Sequence, residues 1–367
     1  MTKSFLRSAS VIALSVMAAG FSASAVAAAP GKAPATAVTV NTQTTTQTGN
    51  SNAITISQVG ATKEEAKILQ NGNSNTATVT QSGQGDLAFS QVVGNSNTVT
   101  QTFGAQAGGT LTNNNSQVYQ CVTAACNSAA TVKPTGNAAT TTLTGTNQAS
   151  YIVQAGNNNT ATTTLSGDGG VGAAANAQIE QYTDYNTAEI TQTGTTAGLV
   201  KVIQGVTTAT ATRNVAYSGA YTVSTAPAAQ LGTSPLGANN SATVTQDAMA
   251  TDGVVNIYQG ADFNLATAIQ QGSDQFVEIR QDGATATDSY GNNNAKVTQE
   301  LSGTGADAFV VQNGQSNKIT LTQSALNVTA DLAQYGNLNK LTLTQGTAGA
   351  SATLTQTGNS NTLTMSQ

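Results

Sequence analysis

The 367-residue chain contains no histidine and no tryptophan, two cysteines and five prolines, and only 8% of its residues are charged. Each shortage excludes something. Without histidine there is no imidazole for general base catalysis and none for a Ser/His triad. The carboxylates offer little instead. Glu64 and Glu65 lie beside Lys63 and Lys67 in what reads as a solvated stretch, and Asp168, Asp252 and Asp282, each followed by glycine, read as turns. No D-x-D-x-D-G calcium loop is present, and Gly167 to Gly172 is not followed by the Lys-Ser/Thr of a phosphate loop. The chain is therefore expected not to be an enzyme and to need no cofactor or metal. Cys121 and Cys126, with no histidine and no second pair nearby, make a poor zinc site; in an exported chain they are expected to form a local disulfide, the alternative being two unpaired thiols.

Low charge argues against a charged disordered tail, and the scarcity of large apolar residues argues against a thick globular core. There is no basic patch to hold nucleic acid. No segment is long and apolar enough for a confident membrane span. The amino terminus reads instead as a secretory signal peptide, residues 1–27. Lys3 and Arg7 form a basic start, Val11 to Phe21 is apolar and small, and Ala23-Ser24-Ala25 and Ala25-Val26-Ala27 are acceptable cleavage sites. Its removal leaves 10 basic against 17 acidic residues, a net charge near −7. A short leader, residues 28–40, carries Pro30 and Pro34. A soluble or extracellular product of bacterial-type export is expected.

What the chain has in place of a core is a period. Glutamine returns every eleven residues from Gln312 through Gln323, Gln334, Gln345 and Gln356 to Gln367, and an asparagine follows every second one by five residues, at Asn317, Asn339 and Asn361. The unit Q-x4-N-x5-Q recurs at Gln47/Asn52/Gln58, Gln70/Asn75/Gln81, Gln181/Asn186/Gln192 and Gln259/Asn264/Gln270. A fixed period of 22 residues means a stacked architecture. Between the amides, residues alternate with period two: Asn339, Leu341, Leu343 and Gln345 share one face, and Lys340, Thr342 and Thr344 the other. That is a half-buried strand. Gly49, Gly72, Gly314, Gly336 and Gly358 fall two residues after a motif glutamine, where a tight turn needs positive φ. The predicted fold is all-β: a β-solenoid of two-strand, 22-residue coils over residues 41–367, stacked at about 4.8 Å and amyloid-like in its inward amide ladders.

The register is imperfect. Gln81, Gln91 and Gln101 step by ten, and Asn97 falls one place late. Gln154-Asn159 ends on Leu165, Asn240-Gln246 meets Pro235 where a glutamine is expected, and Asn293-Gln299 lacks its first partner. Two stretches depart further and are expected as protruding insertions, near residues 103–148 with both cysteines and Pro134, and near 206–236 with Pro227 and Pro235. Gln367 closes a complete unit, Asn41 to Gln47 opens soon after the leader, and no polar cap is evident at either end. Uncapped edges are expected to template further copies head to tail.

The unit, with glycine two residues after its first glutamine, resembles the curlin repeat, and the resemblance covers most of residues 41–367. Curlins are subunits of curli, the extracellular amyloid fibres of bacterial biofilms. The resemblance implies a secreted subunit of a surface fibre (a fimbrium) serving adhesion and cell aggregation. It also implies a nucleating subunit and an outer-membrane secretion channel as partners, and fibre assembly carried by the Gln and Asn positions named above. Six residues before the first glutamine, where the curlin unit has serine, this chain has Asn41, Glu64, Ala175, Gly253, Ala306, Val328 and Ala350.

Two other functions share this fold. A monomeric cell-surface solenoid would use its irregular segments as adhesive loops. An ice-binding face would use outward threonine pairs such as Thr78/Thr80 and Thr320/Thr322, although Lys318, Lys340 and Glu189 break the array.

Overall fold

In the computed structural model, consecutive strands of the chain never pair with each other; each pairs, in parallel, with the strand two places further on. Among the described residues, twenty-four strands therefore divide into two 12-stranded sheets. The odd sheet runs from Thr42–Thr48 through Glu65–Asn71 to Ser351–Thr357, and the even sheet from Ala53–Gln58 through Thr76–Gln81 to Thr362–Ser366. One odd and one even strand make a coil, and twelve coils stack into a β-solenoid. The structure describes residues 40–58, 62–104, 112–121, 134–168, 176–194, 198–205, 238–247, 252–282 and 291–367. The expected signal peptide, all of the leader but Val40, the insertion expected at 206–236 and Cys126 lie outside them. Among the described residues there is no helix.

Alternation sets the faces. In Lys318–Gln323, Ile319, Leu321 and Gln323 are buried while Lys318 is exposed. The core between the sheets is one continuous apolar cluster, two apolar side chains deep per strand in most coils. Side-chain volume is traded between its halves. The pair Ala330 and Leu332 faces the larger Leu341 and Leu343 in one coil, whereas Val255 and Ile257 face Ala266 and Ala268 in another. A large strand against a small one keeps the sheets at a constant separation, which an interior packed without voids demands.

The span expected as an insertion near 103–148 is corrected. Its described part contains Asn115–Gln120 and all of Ala138–Thr146, which fill regular places in the odd and even sheets. Pro134 sits in a corner, not a strand; its carbonyl accepts the N–H of Asn95 at 3.1 Å, so its missing N–H interrupts no ladder. Cys121 is buried and in a disulfide.

The turn glycines permit close stacking. Gly72 has φ of 135°, and a Cβ there would lie 1.8 Å from the carbonyl oxygen of Gly94 in the next coil. No other residue fits.

The first coil differs from the rest. Its odd strand turns Gln43 and Thr45 to the positions that Ala66 and Ile68 fill in the second coil. Gln43 reaches across to Gln58 at 3.0 Å. Its inner face is polar on one side, while its strand edges are unpaired like those of the last coil.

Candidate functional site: the amide columns

Three columns of amides run along the stack, and each has its own bonding. The odd-sheet glutamines form an unbroken series, Gln120, Gln154, Gln181, Gln204, Gln259, Gln281, Gln312, Gln334 and Gln356. Nε2 of each donates to Oε1 of the next, at 2.7 to 3.1 Å. The second Nε2 proton crosses the core: Gln334 donates to the backbone carbonyl of Lys318 and Gln356 to that of Lys340, both on even strands. Both donors of the amide are thereby satisfied. Gln47 and Gln70 form a separate pair at 3.0 Å.

The even-sheet column runs Gln192, Gln246, Gln270, Gln299, Gln323, Gln345, Gln367, with Gln58 and Gln81 paired at the other end. Gln323 donates across to Asp307 and Gln345 to Thr329. The glutamines thus tie the two sheets together while linking successive coils.

The asparagine column is the continuous one. Every coil contributes a member: Asn52, Asn75, Asn97, Asn137, Asn159, Asn186, Asn240, Asn264, Asn293, Asn317, Asn339 and Asn361. Sequence reasoning expected identical amides bonding to each other. The structure adds to this: Oδ1 of each Asn accepts the backbone N–H of the next, at 2.8 to 3.1 Å, and amide-to-amide bonds accompany it at Asn75 to Asn52, Asn317 to Asn293 and Asn361 to Asn339. In most coils Nδ2 donates to a turn carbonyl one coil on, as Asn317 does to Gly336 at 2.8 Å. The side chain replaces a strand-to-strand backbone bond at the corner, where strand pairing ends.

Several sequence readings are corrected here. Asn97 is in register, one coil after Asn75. Gln91 and Gln101 are not column members: Val92 lies against Gln70, and Phe103 against Gln81. The first partner of Asn240 is Gln204, and that of Asn293 is Gln281; residues between them displace the spacing but not the stack. Gln120, Gln204, Gln281 and Asn137 escaped a fixed 22-residue ruler for that reason.

The even-sheet glutamine column breaks in the third to fifth coils, and the odd-sheet column in the third alone, at Val92, because the inward pattern there is inverted. On the even strands Phe103, Leu143 and Leu165 take the column place, and Gln101, Thr141 and Thr163 sit mid-strand among buried residues. Gln101 is satisfied by two serines of the facing sheet: Ser90 donates to its Oε1 at 2.7 Å, and its Nε2 donates to Ser116 Oγ at 2.8 Å. Polar and apolar places have exchanged within these three even strands, so each inward position meets its own kind among them, and unlike residues meet only at the boundaries, Gln81 against Phe103 and Leu165 against Gln192.

The outer faces divide by chemistry. The even face carries aligned threonines, Thr78–Thr100–Thr140–Thr162, until Glu189 interrupts them. The odd face carries stacked aromatics, with Phe89, Tyr119 and Tyr151 at centroid separations of 5.2 and 5.6 Å. Among the described residues, no group of three or more His, Cys, Asp or Glu could hold a metal ion, and no helix is long and apolar enough to cross a membrane. At the two ends of the stack, Thr42–Thr48 and Ala53–Gln58, and Ser351–Thr357 and Thr362–Ser366, each have one edge without a partner strand. Neither a family model nor a curated protein matches the sequence.

Proposed function

We propose that this chain is a secreted structural subunit that polymerises end to end into extracellular curli-like amyloid fibres on a bacterial surface, for biofilm matrix, adhesion and cell aggregation. One observation carries the reading: the same column bonds recur between coil after coil, so a joint between two copies needs no chemistry that the interior does not already use. Copies would dock with Gln356 over Gln47, Asn361 over Asn52 and Gln367 over Gln58. Open strand edges are templates for such addition, and stacked identical amides characterise cross-β assemblies. By the curlin resemblance, its partners are further copies of itself, a nucleating subunit and an outer-membrane secretion channel. Thioflavin T fluorescence on the mature chain diluted from denaturant tests this. A lag that preformed fibres abolish supports it; a flat trace from a soluble β-rich monomer rejects it.

The polar inner face of the first coil favours a second reading, a monomeric surface adhesin. Gln43 and Thr45 would meet Ala352 and Leu354 of a preceding copy, a polar pair against an apolar one. Sedimentation of the soluble chain as a stable monomer at high concentration would select it.

A further inference from the structure

At the corner opposite the asparagine column, the first five coils carry a second column of the same kind: Asn41, Glu64, Asp86, Asn114 and Gln148. Its bonding copies the asparagine pattern. Each side-chain oxygen accepts the next backbone N–H: Asn41 from Glu64 at 3.2 Å, Glu64 from Asp86 at 3.0 Å, Asp86 from Asn114 at 2.8 Å and Asn114 from Gln148 at 2.9 Å. Two members also donate from the amide nitrogen, Asn114 to the Gly145 carbonyl at 3.0 Å and Gln148 to the Gly167 carbonyl at 3.1 Å.

Glu64 and Asp86 have no nitrogen to donate. Both residues are buried, at 0% and 1% exposure, and their second oxygens, Oε1 of Glu64 and Oδ2 of Asp86, have no hydrogen-bond partner among the described residues. They sit one coil apart. Lys63 precedes Glu64 but is exposed, and Glu65 and Lys67 alternate with buried Ala66 and so lie on the outer face. The strands of the first three coils otherwise carry no ionisable side chain, and from the fourth coil the neighbours are Thr112, whose hydroxyl donates to Asp86 at 2.6 Å, and Asn114. Two buried negative charges facing one another without a cation are strongly disfavoured, whereas a neutral carboxyl has the shape and charge of the amides above and below it.

We propose that Glu64 and Asp86 are an acid-set latch, protonated when the first coils are closed and loosening those coils when they ionise. Burial, with the Asp86 charge beside it, pushes the Glu64 carboxyl up from 4.5 to about 8, and burial pushes Asp86 from 3.8 to about 6 against the bonds from Thr112 and Asn114. The folded state therefore holds protons that the unfolded chain releases. The stabilisation is complete below about pH 4 and is lost as pH rises to about 8. The latch is internal to one chain and does not depend on the polymer.

Hydrogen exchange followed by mass spectrometry on the full mature chain tests it, each amide being corrected for its intrinsic rate. Protection over residues 65–71 and 87–93 should fall about tenfold or more from pH 5 to pH 8, while protection over 329–345 stays level. In the double variant Glu64→Gln and Asp86→Asn, the amides already used at Gln148 and Asn114, protection should be level across that range. A wild type with level protection, or a variant that loses as much as wild type, overturns the proposal. Should the variant not fold, infrared spectroscopy of the wild type at pH 6 decides: a protonated-carboxyl band is expected, and its absence overturns the latch.

Discussion

Nε2 of Gln334 donates to Oε1 of Gln356 at 2.7 Å, while Oε1 of Gln334 accepts from Gln312 at 3.1 Å. A column of this kind is satisfied only by its own repetition. Replacing Gln334 by leucine leaves a buried donor on Gln312 and a buried acceptor on Gln356 without partners. It should cost about 1–3 kcal/mol. The converse change, Leu143→Gln, should destabilise as well, because Phe103 and Leu165 above and below it offer no amide. Denaturant melts of both variants check this; a stable Leu143→Gln would mean that the inverted coils do not require like neighbours.

The asparagine column makes a different demand. Asn317→Ala removes the acceptor for the Asn339 N–H and the donor to the Gly336 carbonyl. Local hydrogen exchange in Lys318–Gln323 and Lys340–Gln345 should rise about tenfold or more, the equivalent of roughly 1.4 kcal/mol. Asn317→Asp keeps the acceptor and should approach wild-type protection only in acid, where its carboxyl is neutral. Equal loss at pH 5 and pH 8 would rule that out.

Gly336 has φ of 106°, and a Cβ there would lie 2.2 Å from the Gly358 carbonyl oxygen. Gly336→Ala combines a left-handed backbone with a backbone overlap and should destabilise by about 2 kcal/mol or more. Gly349→Ala is the control: its φ is also positive, at 72°, but nothing lies within 4 Å of the added carbon. Thermal melts should rank wild type above Gly349→Ala and Gly349→Ala above Gly336→Ala.

Lys318 and Lys340 are direct partners on the exposed even face. Like charges one strand spacing apart oppose lateral association of an otherwise threonine-rich surface. Replacing both with threonine should shorten the lag of assembly monitored by thioflavin T. An unchanged lag would remove them as gatekeepers.

The all-β coil was legible because two periods agree. Alternation placed Ile319 and Leu321 inside and Thr320 and Thr322 outside, and the 22-residue spacing of Asn317, Asn339 and Asn361 stacked them; both are properties of local order along the chain. The inward glutamines named from the repeat do lie in the columns, but the repeat alone missed members wherever chain length between strands varies. A corner can accommodate extra residues without moving the strands it joins, so Gln204 and Asn240 share a coil although 35 residues separate them.

By itself, then, the sequence determined the strand and its inward face, which follow from neighbours within about ten residues, and the order of stacking, which follows from the 22-residue period. Only the tertiary structure decided which glutamine lies above which. It also decided that Gln101 turns to Ser90 and Ser116, that asparagine oxygens take the backbone N–H of the next coil, and that Glu64 meets Asp86 in a buried column. Those are contacts between coils, and their partners are chosen by register across the stack, which no spacing along a single strand encodes.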